Sequence, residues 1–363
     1  MIDRRLLTHF DWMLFCVTAA LCVVGLAAVY SAIYVKSPAI YKKEIYWLLI
    51  GLSLMLTAVF INYSLLERFA YVIYGASILS LVAVFAIGRS ASGAKRWISL
   101  GFFTIQPSEF AKLALIVVLA RYFSARNMPE RGMGLKDLAI PALFLLVPFL
   151  MIAKQPDLGT GIILCMIFGS MALIVKIRFR VIAGLVVAFA VAAPFAWKAL
   201  KAYQKARLMS FLDPAMDIRG TGYHIMQSKI AIGSGGMFGK GFTKGTQGKL
   251  MFLPEHHTDF IFSAFAEEWG AIGSLVVISL FLGLVLGGLS ASNTSKDRFG
   301  FLLSFGITAM IFWHVTINMG MVSGLLPVVG VPLPLISYGG SFLITTMIAV
   351  GLLINIRMRR FMF

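Results

Sequence analysis

The sequence predicts an all-α polytopic integral membrane protein of about ten transmembrane helices, with one large extracytoplasmic loop between spans 7 and 8. Three observations carry that expectation. The 363 residues are 60% hydrophobic and 13% charged, with a mean hydropathy of +0.90, whereas soluble domains run near about 25% charged. Apolar windows of about 17–25 residues recur along the whole chain. The run from Asn318 to Ser341, NMGMVSGLLPVVGVPLPLISYGGS, holds no charge yet is studded with Gly and Pro between long apolar stretches. Backbone broken by Pro327, Pro332, Pro334, Gly330, Gly339 and Gly340 is tolerated at membrane depth only where it is buried in protein or lines a polar cavity. A plain turn between two spans is the alternative.

The spans fall near 12–33, 45–61, 69–88, 108–124, 138–153, 158–176, 180–198, 258–289, 298–324 and 336–356, all in one membrane domain over residues 1–363. The first is longer than a signal-peptide core and reads as a retained span. An even count puts both termini on one side. The positive-inside rule makes that side cytoplasmic, because Arg68, Arg121, Lys176, Arg178, Arg180, Lys296, Arg298 and the tail Arg357, Arg359 and Arg360 then face inward. The short outer loops carry fewer basic residues, among them Lys42, Lys43, Arg89, Lys95, Arg96 and Lys154. The formal charge of +17 lies in loops between apolar runs, which points to anionic headgroups or phosphate-bearing substrates and not to nucleic acid. Cys16, Cys22 and Cys165 sit inside apolar segments, so neither a disulfide framework nor a zinc site is indicated.

This orientation puts the loop 199–257 outside. It opens with KAYQKARLMSFLDP, a short helix ended by Pro214, followed by GYHIMQSKIAIGSGG. In the latter, Ile225, Met226, Ile230 and Ile232 suit a helix lying in the membrane interface. GSGGMFGKG (233–241) departs from a Walker phosphate loop in spacing and in its last residue. Two readings stay open for it: a mobile loop bringing Lys240, Lys244 and Lys249 to a pyrophosphate, or a flexible turn with solvated lysines.

Asp259 closes this loop, in LPEHHTDFIFSAFAEEWG. It or Thr258 could cap the next helix; alternatively, its carboxylate works on a lipid-linked substrate where a basic loop meets the bilayer. His256 and His257 are adjacent and have no evident third ligand, so an oxygen-ligated divalent ion, Mg²⁺ at Asp259 completed by substrate phosphate, fits better than a transition metal. A second polar island, GAKRWISLGFFTIQPSEFAKL (93–113), sets Glu109 and Lys112 three apart on one helix face. They form either a helix-start pair or a membrane-interior pair facing a cavity. Asp157 in KQPDLGT reads as a cap, and Glu267, Glu268, His314 and Asn318 as polar packing between helices or a polar route.

His257-Thr258-Asp259-Phe260, the RWI…QPSE…K segment, KQPDLGT and the 318–341 run together resemble the SEDS family (shape, elongation, division, sporulation), polytopic membrane proteins that polymerise peptidoglycan. HTDFIF followed by AEEWG is most similar to the elongation-specific member. The resemblance implies a glycosyltransferase that polymerises lipid II at the outer face of the bacterial cytoplasmic membrane, releasing undecaprenyl pyrophosphate. It also implies a class B penicillin-binding protein as transpeptidase partner. Asp259 becomes the catalytic residue, with His257 and Thr258 beside it and Arg96, Glu109 and Lys112 as further functional candidates; Lys240 and Lys244 would meet the pyrophosphate. One carboxylate suffices for such a reaction, because a pyrophosphate leaves without the proton donor that a glycosidase needs. Two rivals are a transporter of the lipid-linked precursor, which needs a polar path across the bilayer, and a non-enzymatic scaffold, which would tolerate loss of Asp259.

Overall fold

The computed structural model describes residues 9–33, 38–91, 94–101, 103–126, 132–199, 202–213, 220–246 and 257–361. Lys249, His256 and Pro214 lie outside the described residues. Each of the ten expected spans coincides with a helix. In chain order the elements are α1 (Trp12–Ile33), α2 (Pro38–Phe60), the short α3 (Ser64–Arg68), α4 (Ala70–Ile87), strands β1 (Arg89–Ala91), β2 (Ala94–Leu100) and β3 (Phe103–Ile105), then α5 (Pro107–Ser124), α6 (Leu135–Lys154), α7 (Leu158–Ile174), α8 (Phe179–Ala199), α9 (Ala202–Leu212), α10 (Thr221–Ser234), α11 (Ile261–Asn293), α12 (Arg298–Val322) and α13 (Gly340–Met358). Seven of these helices, namely α1, α2, α4, α6, α11, α12 and α13, are long and apolar enough to cross a membrane. α5 falls short by composition because Glu109, Lys112 and Arg121 interrupt it, and α7 is 17 residues long.

The expectation of an all-α chain needs one correction. Residues 89–105 form a three-stranded antiparallel sheet, order β1-β2-β3, with Ile98 opposite Ile105 and Ser99 opposite Thr104. The strands are three to seven residues long, too short for an alternating pattern to stand out in an apolar chain.

α5, α12 and α13 form the buried centre. Nearly every residue of α5 and α13 is inaccessible, because protein rather than lipid surrounds them. α13 packs along α2, and Asn355 fixes their far ends by donating from Nδ2 to the carbonyls of Val59 (2.6 Å) and Ala58 (3.0 Å). Such bonds satisfy carbonyls that a helix end leaves open where water is absent. α8 sits at the periphery with Phe179, Val186, Val191 and Phe195 exposed.

The short helices of the long loop form as expected, with one difference. α10 does not lie with Ile225, Met226, Ile230 and Ile232 on a single buried face. It docks on α11 and α12 through buried Ile225, Ser228 and Ala231, and Ser228 Oγ donates to Val322 O (2.6 Å). Met226 and Ile230 face outward.

Candidate active site

α11 begins at Ile261 with Phe260 in the capping position and no side-chain cap, so helix capping is not what Asp259 does at this terminus. The turn 257–260 is instead bolted to the Gly/Pro-rich segment 323–339. The carbonyl of His257 accepts from Tyr338 N (3.0 Å), that of Thr258 from Ser337 Oγ (2.6 Å), and that of Asp259 from Asn318 Nδ2 (2.9 Å). Asn318, fully buried on α12, gives its second amide hydrogen to Val331 O (2.7 Å). One side chain thus ties the Asp259 turn to the broken segment facing it. Ser337 closes the clamp by accepting from Leu333 N at 2.8 Å. With the backbone spoken for, the side chains of His257, Thr258 and Asp259 line a cavity of about 480 Å³.

Gly330 forms part of the wall. Its φ of +74° is a left-handed conformation, and a Cβ there would stand 3.2 Å from Asp259 Oδ2. Only glycine meets both conditions without strain. The broken segment is thus a polar wall at the head of the bundle, as its composition requires, and not a plain turn.

The opposite wall comes from β2 and the α6–α7 junction. Arg96 donates from Nε to Gln155 O (3.0 Å) and from Nη2 to Pro156 O. Asp157 caps α7, accepting from Thr160 N (3.2 Å) and Thr160 Oγ1 (3.0 Å), and also receives Gln106 Nε2 at 3.2 Å. Gln106 N donates to Ser341 Oγ at 3.0 Å, which joins the sheet to the start of α13.

The base of the cavity holds Glu109, and Lys112 lies buried behind it. Lys112 Nζ is 2.7 Å from Glu109 Oε2 and 2.9 Å from His314 Nε2, and 5.1 Å above the Phe342 ring. The pair lies inside the protein and not at a surface helix start. A lysine donating to Nε2 places the imidazole proton on Nδ1, which faces Pro332 O at 3.4 Å. His314 and Asn318, one turn apart on α12, therefore hold neighbouring carbonyls of the same segment.

The cell cycle protein family of FtsW, RodA and SpoVE matches residues 11–361. The chain belongs to that family. It is 40% identical to the peptidoglycan glycosyltransferase MrdB of Escherichia coli K12, covering 97% of this chain and 94% of that one. Identity to the peptidoglycan glycosyltransferase RodA of Treponema pallidum is 34%, over 98% of this chain and 99% of the relative. Among solved structures it is similar to a chain of a peptidoglycan synthase complex that coordinates polymerization and crosslinking (TM-score 0.84, 31% identity, 98% and 99% covered). The crystal structure of Thermus thermophilus RodA also matches, with a TM-score of 0.73 at 29% identity and 98% of each chain covered.

In this FtsW/RodA/SpoVE chain, the residues singled out by sequence divide into two groups. Arg96, Glu109, His257, Thr258 and Asp259 all line one cavity, and Lys112 supports it from behind. Lys240 and Lys244 line no part of it, which corrects the reading of a mobile phosphate-seeking loop. Lys240 Nζ is paired with Glu267 Oε1 at 2.7 Å, and the same oxygen accepts from Thr246 N (2.9 Å) and Thr246 Oγ1 (2.7 Å). The loop backbone is stitched to a break in α11 at Gly270: Lys240 N donates to Glu267 O, Gly241 N to Glu268 O, and Ala271 N to Gly236 O. Glu267 is 0% exposed, so a buried carboxylate anchors the loop. Glu268 is held similarly, by the hydroxyl of Ser31.

Trp47, Gln106, Tyr338 and Arg207 also line the cavity; Gln106 and Tyr338 lie inside the quoted motifs, which do not single them out as site residues. Arg207 is legible in principle: Met209 and Leu212 mark the outer face of α9, and Gln204, Arg207 and Phe211, at helical spacing, lie turned from it.

No group of three His, Cys, Asp or Glu side chains among the described residues is placed to hold a metal. Mg²⁺ commonly takes one or two carboxylates and completes its shell with water and substrate phosphate, and the Asp259 carboxylate on a polar cavity fits that donor set.

Proposed function

We propose that this protein polymerises lipid II into glycan strands during cell elongation, with Asp259 as the general base and the 480 Å³ cavity as the reaction site. The chain is a peptidoglycan glycosyltransferase by family and by likeness over its full length to enzymes of that name. The single observation that carries the finer reading is the clamp on residues 257–259. Three consecutive carbonyls are fixed by Tyr338, Ser337 and Asn318, which holds the carboxylate at a set point of a polar cavity. A base prepositioned in this way needs little reorganisation when the acceptor sugar arrives.

In this mechanism Asp259 takes the proton from the acceptor hydroxyl as that oxygen attacks the anomeric carbon of the donor. One displacement inverts the α-linked donor to a β-linked glycan, and the bond to pyrophosphate breaks with its electron pair on the phosphate oxygen. Asp259 is the residue that would hold Mg²⁺, and the ion would supply charge neutralisation to the leaving group. Arg96 is fixed by two carbonyls and shapes the wall. Glu109 and Lys112 hold the base of the cavity and, through His314, the Pro332 carbonyl.

The chain crosses the bacterial cytoplasmic membrane as ten spans with both termini inside, which places the sheet, the loop 199–257 and the cavity mouth outside. The count is supported by the ten helices at the ten apolar segments, and the side by the basic residues at the other end. A class B penicillin-binding protein supplies the cross-linking step; the likeness to a chain of a polymerising and crosslinking complex supports this. Transport of the precursor is disfavoured by the packing beneath the cavity. The halves of α5 and α12 that lead to the inner side bury Ile116, Leu119, Leu303 and Ile307, and the hydroxyls of Ser304 and Thr308 there are bonded to carbonyls of their own helix.

The test is lipid II polymerisation by the purified complex with its penicillin-binding partner and Mg²⁺, comparing the native chain with Asp259→Ala. Glycan from the native chain and none from a folded, partner-bound variant is the expected result. Undiminished glycan from the variant removes Asp259 from catalysis. Lipid II crossing vesicle membranes without polymerisation turns the reading to transport.

A further inference from the structure

Among the described residues two arginines line the cavity, Arg96 and Arg207, and the structure treats them oppositely. Arg96 is pinned by the carbonyls of Gln155 and Pro156. Arg207 stands half-buried on α9 at the same cavity, and among the described residues no hydrogen bond or ion pair ties it down. Of the carboxylates on this cavity, Glu109 pairs with Lys112, Asp157 accepts from Thr160 and Gln106, and Asp259 sits on the clamped turn as the proposed base. A partly buried arginine that lines a polar cavity and makes no hydrogen bond or ion pair among the described residues is arranged for an anion supplied from outside.

α9 explains why this side chain faces inward. Met209 and Leu212 are exposed, while Ser210, one turn on from Arg207, is buried and Phe211 partly so. Arg207 therefore sits on the side of α9 turned toward the bundle. The helix packs chiefly on α10, which is itself docked on α11 and α12. The arginine is thereby carried by an element separate from the clamped Asp259 turn, so base and cation reach one cavity from different parts of the fold.

We propose that Arg207 binds the pyrophosphate of the lipid-linked donor and stabilises it as it departs; this rests on the glycosyltransferase reading above. The displacement forms a bond from the acceptor hydroxyl oxygen to the anomeric carbon, sends the hydroxyl proton to Asp259, and breaks the anomeric carbon–oxygen bond. The electron pair of that bond stays on the phosphate oxygen, so the pyrophosphate gains one negative charge as it leaves. An interaction that strengthens with this new charge acts on the transition state more than on the bound substrate. Arg207 should thus govern kcat more than KM, and should bind the released pyrophosphate product.

The test uses the full chain in complex with its transpeptidase partner, comparing native, Arg207→Ala, Arg207→Gln and Arg207→Lys. Each is read for kcat and KM with lipid II, inhibition by added undecaprenyl pyrophosphate, and melting temperature. Expected are a kcat lowered roughly 100-fold in the Ala and Gln variants with KM within about threefold, partial recovery in Lys, and a roughly tenfold weaker inhibition by the pyrophosphate. Native kcat or unchanged inhibition in Arg207→Ala overturns the proposal. Should Arg207→Ala lose its melting temperature, the inhibition ratio of Arg207→Gln decides in its place. Should the native complex make no glycan, the glycosyltransferase reading itself fails. Undecaprenyl pyrophosphate binding to the native protein, read as a melting-temperature increase, then decides for Arg207: a shift lost in Arg207→Gln supports the anion site, and an equal shift ends it.

Discussion

Two glycine-rich, non-helical segments stand near the head of the bundle, and they do opposite work. The segment 323–339 carries no charge, yet it builds the wall of the polar cavity, through backbone: Gly330 leaves space beside the carboxylate and Tyr338 N holds the Asp259 turn. The segment 235–246 carries lysines that could have met a pyrophosphate, yet it is a strut. Its Lys240 is engaged by Glu267, and its backbone closes over the break at Gly270. The difference lies in what each segment packs against. A buried carboxylate fixes the charged loop, because an unpaired charge at zero exposure is costly. Buried amide and hydroxyl side chains fix the uncharged one, which leaves its wall available to a substrate.

The comparison breaks most visibly at Gly330. Gly330→Val forces a β-branched residue into a left-handed conformation and sets its Cβ against Asp259 Oδ2. Displacing a catalytic group by about 1 Å can cost roughly 100-fold, and a loss of that order in lipid II polymerisation is expected. Asn318→Ala comes next. It leaves the carbonyls of Asp259 and Val331 without their donor, each at about 1–3 kcal/mol if no water replaces it. Polymerisation falls roughly tenfold, or ~1.4 kcal/mol in barrier, and the melting temperature falls with it. A variant with lowered melting temperature and native rate would show that the clamp serves the fold and not the base.

Much of this architecture is legible in the amino-acid sequence. Helices stand at all ten apolar segments because a span must satisfy its own backbone, which leaves length and apolarity as strong signals. Asp259, Arg96 and Glu109 are legible as site residues from motif resemblance, and the structure places them around one cavity. Other features are hidden because they depend on partners far away in sequence. Glu267 looks like one more polar residue in a span, and nothing local says that it reaches back 27 residues to Lys240. His314 meets Lys112 across 202 residues. The sheet at 89–105 is hidden by its shortness, and Arg207 by its place on a short helix with the look of a connector.

The strut makes a prediction of a different kind from the clamp. Glu267→Gln removes the charge that pairs with Lys240 but keeps an acceptor for Thr246. Lys240 is 31% exposed and can turn to water, so the loss should be about 1–2 kcal/mol instead of the 3–5 of a fully buried pair. Thermal unfolding of the purified protein should show it, with polymerisation at permissive temperature within roughly threefold of native. A rate loss matching that of Gly330→Val would mean that the loop reaches the substrate during turnover.

Lys244→Ala is the smallest change and the sharpest check on the loop. Its side chain is exposed, and it passes over Gly241 with no carboxylate among its described contacts. Exposed substitutions of this kind fall within about ±0.5 kcal/mol, so melting temperature and glycan yield should both stay at native values. A phosphate-binding loop would behave differently: losing one of its cations would weaken lipid II polymerisation and make the residual rate less sensitive to salt. If the rate of Lys244→Ala stays native and keeps its salt dependence, the cation for the pyrophosphate is to be sought on α9 and not in the glycine-rich loop.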